Sequence, residues 1–511
     1  MRVVTITEAP LAIEELLEVV QGAPVELGPA AWSRIRDSRA VVDRALETGE
    51  PIYGLTTGVG HMKDTRLPDD ELRQAQRFLV MSHAGGLGRA LPAEVVRAAM
   101  LVRLNGIARG GSGASPAVAE VLAAMLNAGV HPVVAETASV GTGDLAQMAS
   151  IAQVAIGQGS AEHAGAVVPG GEALRRAGID PLVLQPKDGL ALISANGVSV
   201  GQGALVVARA AGAVDAADLA CALSLEATAG NPSVALPVVG RAKPIPGQVE
   251  SGRRILEALE GSYLLQPDGP VSIQDPLSFR VAPQVHGALR ELLAAARLAV
   301  EVELNARGDN PLVSVEDQAM VHNGNFHPIL LALGFDALRA AIAHAGQLSE
   351  RRMSHLWDAF FEHAGGLGSG PPEGTGPELF GLSLRYPAAA AVAELKQLAA
   401  PATLDVPPLD QGVEDHATGA PLSVGKAAAA LGLLSDILAV ELLLARDVIA
   451  TMAARPALGV GTSAALRVVE DATATTPLPR AAAAVHRSLR ARFPRTVGTH
   501  LPERGTTRPD S

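Results

Sequence analysis

The amino-acid sequence predicts a mainly α-helical protein, with a loop-rich N-terminal lobe followed by a bundle of long helices. Of its 511 residues, 48% are hydrophobic but only 3% are aromatic. Ala, Leu and Val must therefore form the core, which favours close-packed helices over an aromatic-rich β-sandwich. Beyond residue 189 the chain has long apolar stretches with few breaks, and one helical face there collects Val285, Leu289, Leu292, Leu293 and Ala296.

The predicted N-terminal lobe covers residues 1–185 and contains helices separated by glycine-rich loops. The sequence pattern predicts helices over 30–46, 69–82, 92–107 and 115–127, and a further helix from Asp144. Pro92 stands in a first turn, where a proline is tolerated. The loops lie at 53–60, 110–113 and 137–143, and a hairpin or loop is expected up to residue 188.

The predicted helical bundle covers residues 186–485. Its candidate helices are 189–229, 285–305, 325–356, 422–454 and 481–492, and Gly/Pro-rich loops interrupt it at 365–376 and 401–412. Residues 486–511 are predicted to form a flexible tail, because Arg, Thr and Pro dominate from Phe493 onward.

Charge and cysteine content exclude several classes of protein. The net charge of −12 argues against a nucleic-acid partner, which needs a basic surface. Cys221 is the single cysteine, which excludes a disulfide framework and makes a reducing, cytoplasmic location the simplest. The N-terminus lacks the apolar core of a signal peptide. The longest apolar region, 426–454, includes Asp436, Glu441, Arg446 and Asp447, so we expect a buried helix there and no membrane partner.

The first candidate site segment is the small-residue turn Ser139-Val140-Gly141-Thr142-Gly143-Asp144. Two glycines allow the backbone to bend tightly, and Asp144 is well placed to cap the helix that follows. On this segment alone, an ordinary capped turn is the commoner explanation.

Tyr53 stands in a second segment, the glycine-bracketed loop Ile52-Tyr53-Gly54-Leu55-Thr56-Thr57-Gly58-Val59-Gly60. A tyrosine there can act as a base if nearby positive charge or dipoles lower its pKa from about 10. The alternative is a surface turn anchored by its aromatic ring.

Three further segments place polar side chains beside glycine or proline. His83 precedes a glycine loop, Arg280 ends the stretch 273–280 and suits bidentate capture of a carboxylate, and residues 414–416 group Glu, Asp and His. Alternatively, His83 is a structural histidine, Arg280 belongs to a surface ion pair, and residues 414–416 are the solvated start of a helix. The last group can also be a metal or acid/base cluster, although none of the common metal, Walker or dinucleotide motifs is present and no metal site is predicted.

Eight segments occur in the order in which a known family has them: IYGLTTGVG, SHAGGLG, SVGTGDLAQMA, KDGLALISANG, IQDPLSFRVAPQVHG, GDNPLV, NGNFH and VEDH. On these segments the chain resembles the histidine and aromatic amino acid ammonia-lyase family from about residue 45 to about residue 460, and it is most similar to the histidine type.

The resemblance implies a homotetramer with the long-helix bundle of the ammonia-lyase/fumarase-like type and active sites that each draw on three subunits. It implies elimination of ammonia from an L-amino acid, histidine before the aromatic ones, to give an α,β-unsaturated acid. The family's electrophile is a methylidene-imidazolone (MIO) ring made from the chain's own Ala-Ser-Gly, so no external cofactor is implied. Such a ring is needed because the β-proton is weakly acidic and the amine is a poor leaving group.

The resemblance also implies roles for individual residues. Tyr53 matches the base that takes the β-proton. His83 and Glu414 match residues that would hold a substrate imidazole. Arg280 matches the residue that binds the substrate carboxylate. Asn196 and Gln274 match residues that line the ring and the substrate.

The departures from the family fall on the chemistry. Where the family reads SVGASGDLAP this chain is one residue shorter, so the triad becomes Gly141-Thr142-Gly143, and a ring made from it would carry an extra methyl group. A family tyrosine is Leu277, a loop asparagine is Thr56, and the segment before Asn196 is stretched. Two alternatives therefore stand beside an ammonia-lyase: a ring-independent lyase or addition enzyme of the same fold, and a catalytically inactive paralogue.

Overall fold

The computed structural model describes residues 2–363, 380–404, 407–474, 476 and 480–492, and these residues are mostly helical. The predicted mainly α-helical fold is confirmed. The predicted loop at 365–376 and residues 493–511 of the predicted tail lie outside the described residues, whereas residues 486–492 of that tail form the end of a helix.

The helices vary from a single turn to nearly ten turns. In chain order they are α1 (Ile13–Val20), α2 (Pro29–Thr48), α3 (Leu72–His83), α4 (Ala93–Ala108), α5 (Pro116–Ala128), α6 (Leu145–Ala155), α7 (Gly170–Ala177), α8 (Asp188–Ile193), α9 (Gly197–Ala227), α10 (Pro237–Ala242), α11 (Pro246–Ala258), α12 (Leu277–Arg280), α13 (Ala282–Leu304), α14 (Ile329–His363), α15 (Phe380–Leu398), α16 (Ala420–Thr451), α17 (Val460–Thr473) and α18 (Ala481–Arg492).

The strands are short and form four small sheets. Strands β1 (Val4–Ile6) and β2 (Val25–Leu27) pair in parallel. The antiparallel sheets comprise β3 (Leu87–Ala90) with β5 (Ala135–Thr137), then β4 (His131–Pro132), β6 (Ser160–His163) and β7 (Ala166–Pro169) in that order, and β8 (Leu312–Ser314) with β9 (Ala319–Val321).

Local chemistry explains where the helices begin and end. Helix α5 starts with Pro116 in its first turn and stops before Gly129, whose φ of 68° is left-handed. The helix predicted over 189–229 is interrupted at residues 194–196, where the Ala195 carbonyl accepts the N–H of Asp144 at 2.8 Å. The helix predicted from residue 325 starts only at Ile329, because Pro328 cannot continue a helix towards its N-terminus without losing a hydrogen bond.

The chain divides into two compact units. The first comprises Met1–Ala208, Glu291–His344 and Ala391–Leu434, and the second comprises Arg209–Arg290, Ala345–Ala390 and Ser435–Ser511. Every boundary falls inside a long helix, so the units interleave along the chain, unlike the contiguous segments 1–185, 186–485 and 486–511 of the sequence-based prediction.

Three helical segments are long and apolar enough to cross a membrane, judged by length and composition: Asp188–Ala227, Ile329–His363 and Ala420–Thr451. Their most apolar windows are 94%, 50% and 67% buried within the chain. In the last of them Glu441 is fully buried and binds the Arg352 guanidinium through both carboxylate oxygens, at 2.5 and 2.8 Å. The absence of a membrane partner stays a prediction.

Candidate active site

Tyr53 lies in a loop of the first unit that is closed by its own hydrogen bonds. The Thr56 hydroxyl donates to the Glu50 carbonyl at 2.6 Å and accepts the N–H of Ile52 at 2.8 Å. The N–H of Gly60 then donates to the Tyr53 hydroxyl oxygen at 3.0 Å. The loop therefore fixes the position of the phenol and supplies a hydrogen-bond donor that would stabilise a phenolate.

The surroundings of Tyr53 favour the neutral phenol in the chain alone. Burial raises the pKa of its hydroxyl above the ordinary value, and the carboxylates of Glu414 and Asp410 raise it further, although the Gly60 N–H lowers it. A cation placed beside the hydroxyl would reverse this effect. The Tyr53 ring also stands edge-on to the ring of His322, with centroids 6.3 Å apart.

Glu414, Thr142 and His83 surround the same space. The Thr142 hydroxyl donates to a Glu414 carboxylate oxygen at 3.5 Å. Burial raises the pKa of Glu414 and Asp410 raises it further, whereas the Thr142 hydrogen bond and the charge of His83 lower it. His83 ends α3, and its Nδ1 bonds to the Leu79 carbonyl at 2.8 Å, which makes Nδ1 the protonated nitrogen and Nε2 the acceptor in the neutral ring.

The turn over residues 139–143 depends on two glycines in left-handed conformation. Gly141 has φ 89° and Gly143 has φ 79°, values that side chains rarely adopt. The Ser139 hydroxyl accepts the N–H of Gly141 at 3.1 Å and donates to the Gly143 carbonyl at 2.9 Å. The turn therefore presents the Thr142 side chain to Glu414 while its own backbone is held from within.

Asn196 lies directly after the backbone contact between Ala195 and Asp144. Its side-chain Nδ2 donates to Glu303 at 3.5 Å, and its Oδ1 is buried without a hydrogen-bond partner among the described residues. Burial raises the pKa of Glu303 to about 7 and that of Asp144 to about 6. Asp144 accepts the N–H and the hydroxyl of Ser199 at 2.7 and 2.9 Å. The first unit thus places two carboxyl groups with raised pKa values beside the turn.

Gln274 and Arg280 belong to the second unit. Gln274 is exposed, and Arg280 is half-buried at the end of the one-turn helix α12. Between them the Asp275 carboxylate accepts the N–H of Asn231 at 2.6 Å, which anchors the segment to its own unit. Leu277, which replaces a family tyrosine, is exposed. The roles that the resemblance implies for Gln274 and Arg280 stay predictions.

Four residues beside the site were missed from the sequence: Asp410, His322, Glu303 and Thr418. The Asp410 carboxylate contacts the Nδ1 of His61 at 2.6 Å and accepts the backbone N–H of His61 at 2.9 Å. His322 and Thr418 stand close to the segments NGNFH and VEDH, so proximity to a motif could have indicated them. Glu303 carries no such local signal, since it resembles any acidic residue on an amphipathic helix.

Comparisons with known proteins show the family to which the chain belongs. A family model described as aromatic amino acid lyase matches residues 11–471. The chain belongs to this family. A histidine ammonia-lyase from Gloeobacter violaceus is 42% identical over 446 residues, which are 85% of each chain.

Two solved structures have the same fold as this chain. The histidine ammonia-lyase of Trypanosoma cruzi superposes with a TM-score of 0.85 at 28% identity, covering 96% of this chain and 94% of the other. Ergothionase from Treponema denticola, an ergothioneine-degrading enzyme, gives a TM-score of 0.88 at 27% identity, covering 96% and 99%. The predicted family and the predicted enzyme class are confirmed: the protein is a carbon–nitrogen lyase of the MIO-type fold.

The residues of the turn fit the family's self-made ring in chemical terms. Cyclisation needs a carbonyl at the first position, a hydroxyl-bearing residue at the second and an unhindered amide nitrogen at the third. Gly141, Thr142 and Gly143 supply these groups, and the Gly141 carbonyl oxygen accepts a hydrogen bond from the Thr418 hydroxyl at 2.8 Å. The Thr142 side chain also faces Glu414, within the candidate site of the lyase.

A metal centre is not indicated in the part of the chain that the structure describes. No group of three or more His, Cys, Asp or Glu side chains there could hold a metal ion. The pair formed by His327 Nε2 and His416 Nδ1, at 2.9 Å, offers only two nitrogen ligands.

Proposed function

We propose that this lyase eliminates ammonia from L-histidine to give the conjugated α,β-unsaturated acid. The observation that carries the proposal is that one unit brings Tyr53, His83 and Glu414 around the Thr142 side chain. Relatives named histidine ammonia-lyase support the choice of substrate, and the one from Gloeobacter violaceus is 42% identical to this chain.

The chain's own side chains would divide the work as follows. Glu414, whose pKa burial raises, and His83 would hydrogen-bond the substrate imidazole. Arg280 and Gln274 would bind the carboxylate and the amino-acid backbone. Tyr53 would take the β-proton, because the substrate's ammonium group and the Gly60 N–H together favour its phenolate.

A ring formed from Gly141, Thr142 and Gly143 would supply the electrophile that activates the amine or the imidazole. It would carry an ethylidene group, since threonine has one methyl more than serine. Asn196, with its free Oδ1, and the turn's own hydrogen bonds would line it. No other cofactor is proposed.

A homotetramer is the proposed assembly. Val271 and Ile273, next to Gln274, have 84% and 96% of their surfaces exposed, and contact with another subunit would remove that apolar surface from water. The single cysteine, Cys221, is free and buried, which supports a cytoplasmic location.

An ultraviolet assay with L-histidine tests the proposed activity. We expect growth of the absorbance of a conjugated acid together with release of one ammonia per product. Phenylalanine and tyrosine serve as competing substrates, and a faster rate with either would reassign the substrate. Flat traces with all three amino acids would refute ammonia elimination and leave the ring-independent enzyme and the inactive paralogue.

A second candidate function is ring-independent elimination of a better leaving group. It is favoured by the loss of the family's serine at Thr142 and of a family tyrosine at Leu277, and by the likeness to ergothionase. A substrate whose amine bears a permanent positive charge, such as ergothioneine, needs no electrophile on the enzyme. Turnover of ergothioneine by protein of unmodified mass would establish this function over the first.

A further inference from the structure

The turn at residues 139–143 is held by a hydroxyl group from a distant part of the chain. The Thr418 hydroxyl donates to the carbonyl oxygen of Gly141 at 2.8 Å, and next to it the Gly419 N–H donates to the Val140 carbonyl at 2.9 Å. Thr418 is fully buried, so its hydroxyl does not exchange this partner for water. All of these residues belong to the first unit.

The contact falls on an atom that reacts when the ring forms. In cyclisation the Gly143 nitrogen bonds to the Gly141 carbonyl carbon, and the Gly143 amide proton moves to the Gly141 oxygen. The hydroxyl formed on Gly141 then leaves as water with the amide proton of Thr142, and a double bond forms between the Gly141 carbon and the Thr142 nitrogen. A second water takes the Thr142 hydroxyl and its Cα proton, which makes the C=C bond. No oxidant or reductant is consumed.

We propose that the Thr418 hydroxyl is the hydrogen-bond donor that activates the Gly141 carbonyl for cyclisation. The inference rests on the proposed function, because it presupposes that the ring forms. Negative charge develops on the Gly141 oxygen as the nitrogen attacks, and a fixed, buried donor stabilises that charge without reorganisation. Removal of one such donor lowers reaction rates by about 10²–10³-fold in enzymes.

The proposal also explains why glycine replaces the family's alanine. A Cβ atom at residue 141 would lie 2.2 Å from the Thr418 Oγ1 and 2.8 Å from the Ala420 nitrogen. In this turn an alanine would therefore push away the hydroxyl that contacts the carbonyl. Glycine at 141 and threonine at 418 belong together in the shortened turn.

Ser139 is a positioning residue in the same reaction. Its hydroxyl links the N–H of Gly141 to the carbonyl of Gly143, so it fixes the two residues that cyclisation joins. Its contacts are with groups beside the bond that forms, whereas Thr418 contacts the attacked carbonyl itself.

Thr418 has a structural contact as well, which the experiment must separate. Its Oγ1 accepts the N–H of Ala420 at 3.1 Å, at the start of α16. Thr418→Val removes both contacts with little change of shape, and Thr418→Ser keeps both. Thr473→Val is the matched control, because Thr473 is also buried and its hydroxyl also donates to a backbone carbonyl, that of Val469, at 2.8 Å.

The test measures ring formation by mass and needs no enzyme activity. Each protein is made by cell-free translation, sampled over time and digested with trypsin, and the peptide Gly110–Arg175 is weighed. In the wild type we expect the loss of two water molecules, about 36 Da. Thr418→Val should lose them about 10²-fold more slowly, while Thr418→Ser and Thr473→Val should match the wild type. Circular dichroism on the same samples shows whether each variant has folded.

The outcomes separate this inference from the proposed function. Equal rates of water loss in folded Thr418→Val and wild type would overturn the role of Thr418 and leave the ring intact. A slow rate in Thr473→Val would also overturn it, since any buried threonine would then matter. A wild-type peptide of full mass would overturn it too, and the histidine assay would then decide independently whether the chain is an ammonia-lyase.

Discussion

Two regions that carry predicted site residues are held in different ways. The cluster of Tyr53, His83, Thr142 and Glu414 in the first unit is fixed by hydrogen bonds from its own loops and turns. The segment 271–280 of the second unit carries Gln274 and Arg280, yet Ile273 beside them is 96% exposed. The first region is therefore held by contacts within its own unit, whereas the second carries almost fully exposed apolar side chains that a neighbouring subunit would cover. Variants in the cluster should change chemistry, and variants in the segment should change assembly.

The largest effect is expected from Tyr53→Phe in the cluster. The variant loses the hydroxyl of the proposed base but keeps its aromatic ring and the loop hydrogen bonds of Thr56. We therefore expect kcat to fall by about 10³-fold with an unchanged fold. Tyr263→Phe is the matched control, because the Tyr263 hydroxyl donates to the Glu226 carbonyl at 2.7 Å in the second unit. Steady-state kinetics with L-histidine measure both. Full activity in Tyr53→Phe would remove Tyr53 from the chemistry.

Ile273→Asp in the exposed segment should act on assembly. A charge placed on a surface that another subunit covers would have to be desolvated, and burial of one such apolar side chain is worth about 1.5–3 kcal/mol. We therefore expect oligomers smaller than the tetramer and an association constant that is lower by at least about tenfold. Size-exclusion chromatography with light scattering measures this, with Ile273→Val as the control. A tetramer of unchanged stability in Ile273→Asp would mean that no subunit covers this segment.

Glu303→Gln should change how stability depends on pH. Burial raises the pKa of Glu303 to about 7 in the folded chain, whereas it is near 4.3 in the unfolded chain. The folded protein then holds more protons than the unfolded one between these values, so the group lowers stability as pH rises through this window. The variant should match the wild type at pH 4 and be about 3–4 kcal/mol more stable at pH 8.

Thermal unfolding at a series of pH values measures this difference. Glu301→Gln on the same helix is the control, because Glu301 is half-exposed and pairs with Arg297 at 2.8 Å. A wild type that is more stable than Glu303→Gln at pH 8 would show that Glu303 is ionised and stabilising in the folded chain.

The sequence was sufficient for the fold and for most of the cluster, and the reason is physical. Apolar spacing determines the helices, whereas the Tyr53 loop and the turn at 141–143 each have an ordinary structural explanation when taken alone. Their place among the eight ordered family segments is what indicates a site. Glu303 and Thr418 act through partners 107 and 277 residues away. Their side chains are ordinary for a helix and a helix start, and only the folded chain shows what they contact. The break between α8 and α9 was missed for the same reason, since the Asp144 N–H that binds the Ala195 carbonyl lies just before another helix, α6.

The smallest effect is expected from Thr142→Ser within the cluster. Serine keeps the hydroxyl that contacts Glu414 and removes the methyl group that would crowd the attacked carbon of the ring. We therefore expect complete water loss in the peptide Gly110–Arg175 and kcat/KM for L-histidine that rises by a few-fold, because one methyl group in a tight site is worth about 1 kcal/mol. Ser150→Ala, which removes a hydroxyl bonded to the Ala146 carbonyl on the next helix, is the control for a general effect on this segment. A fall in kcat/KM would mean that the methyl group of Thr142 packs usefully against the substrate, and the cluster would then be adapted to threonine rather than merely tolerant of it.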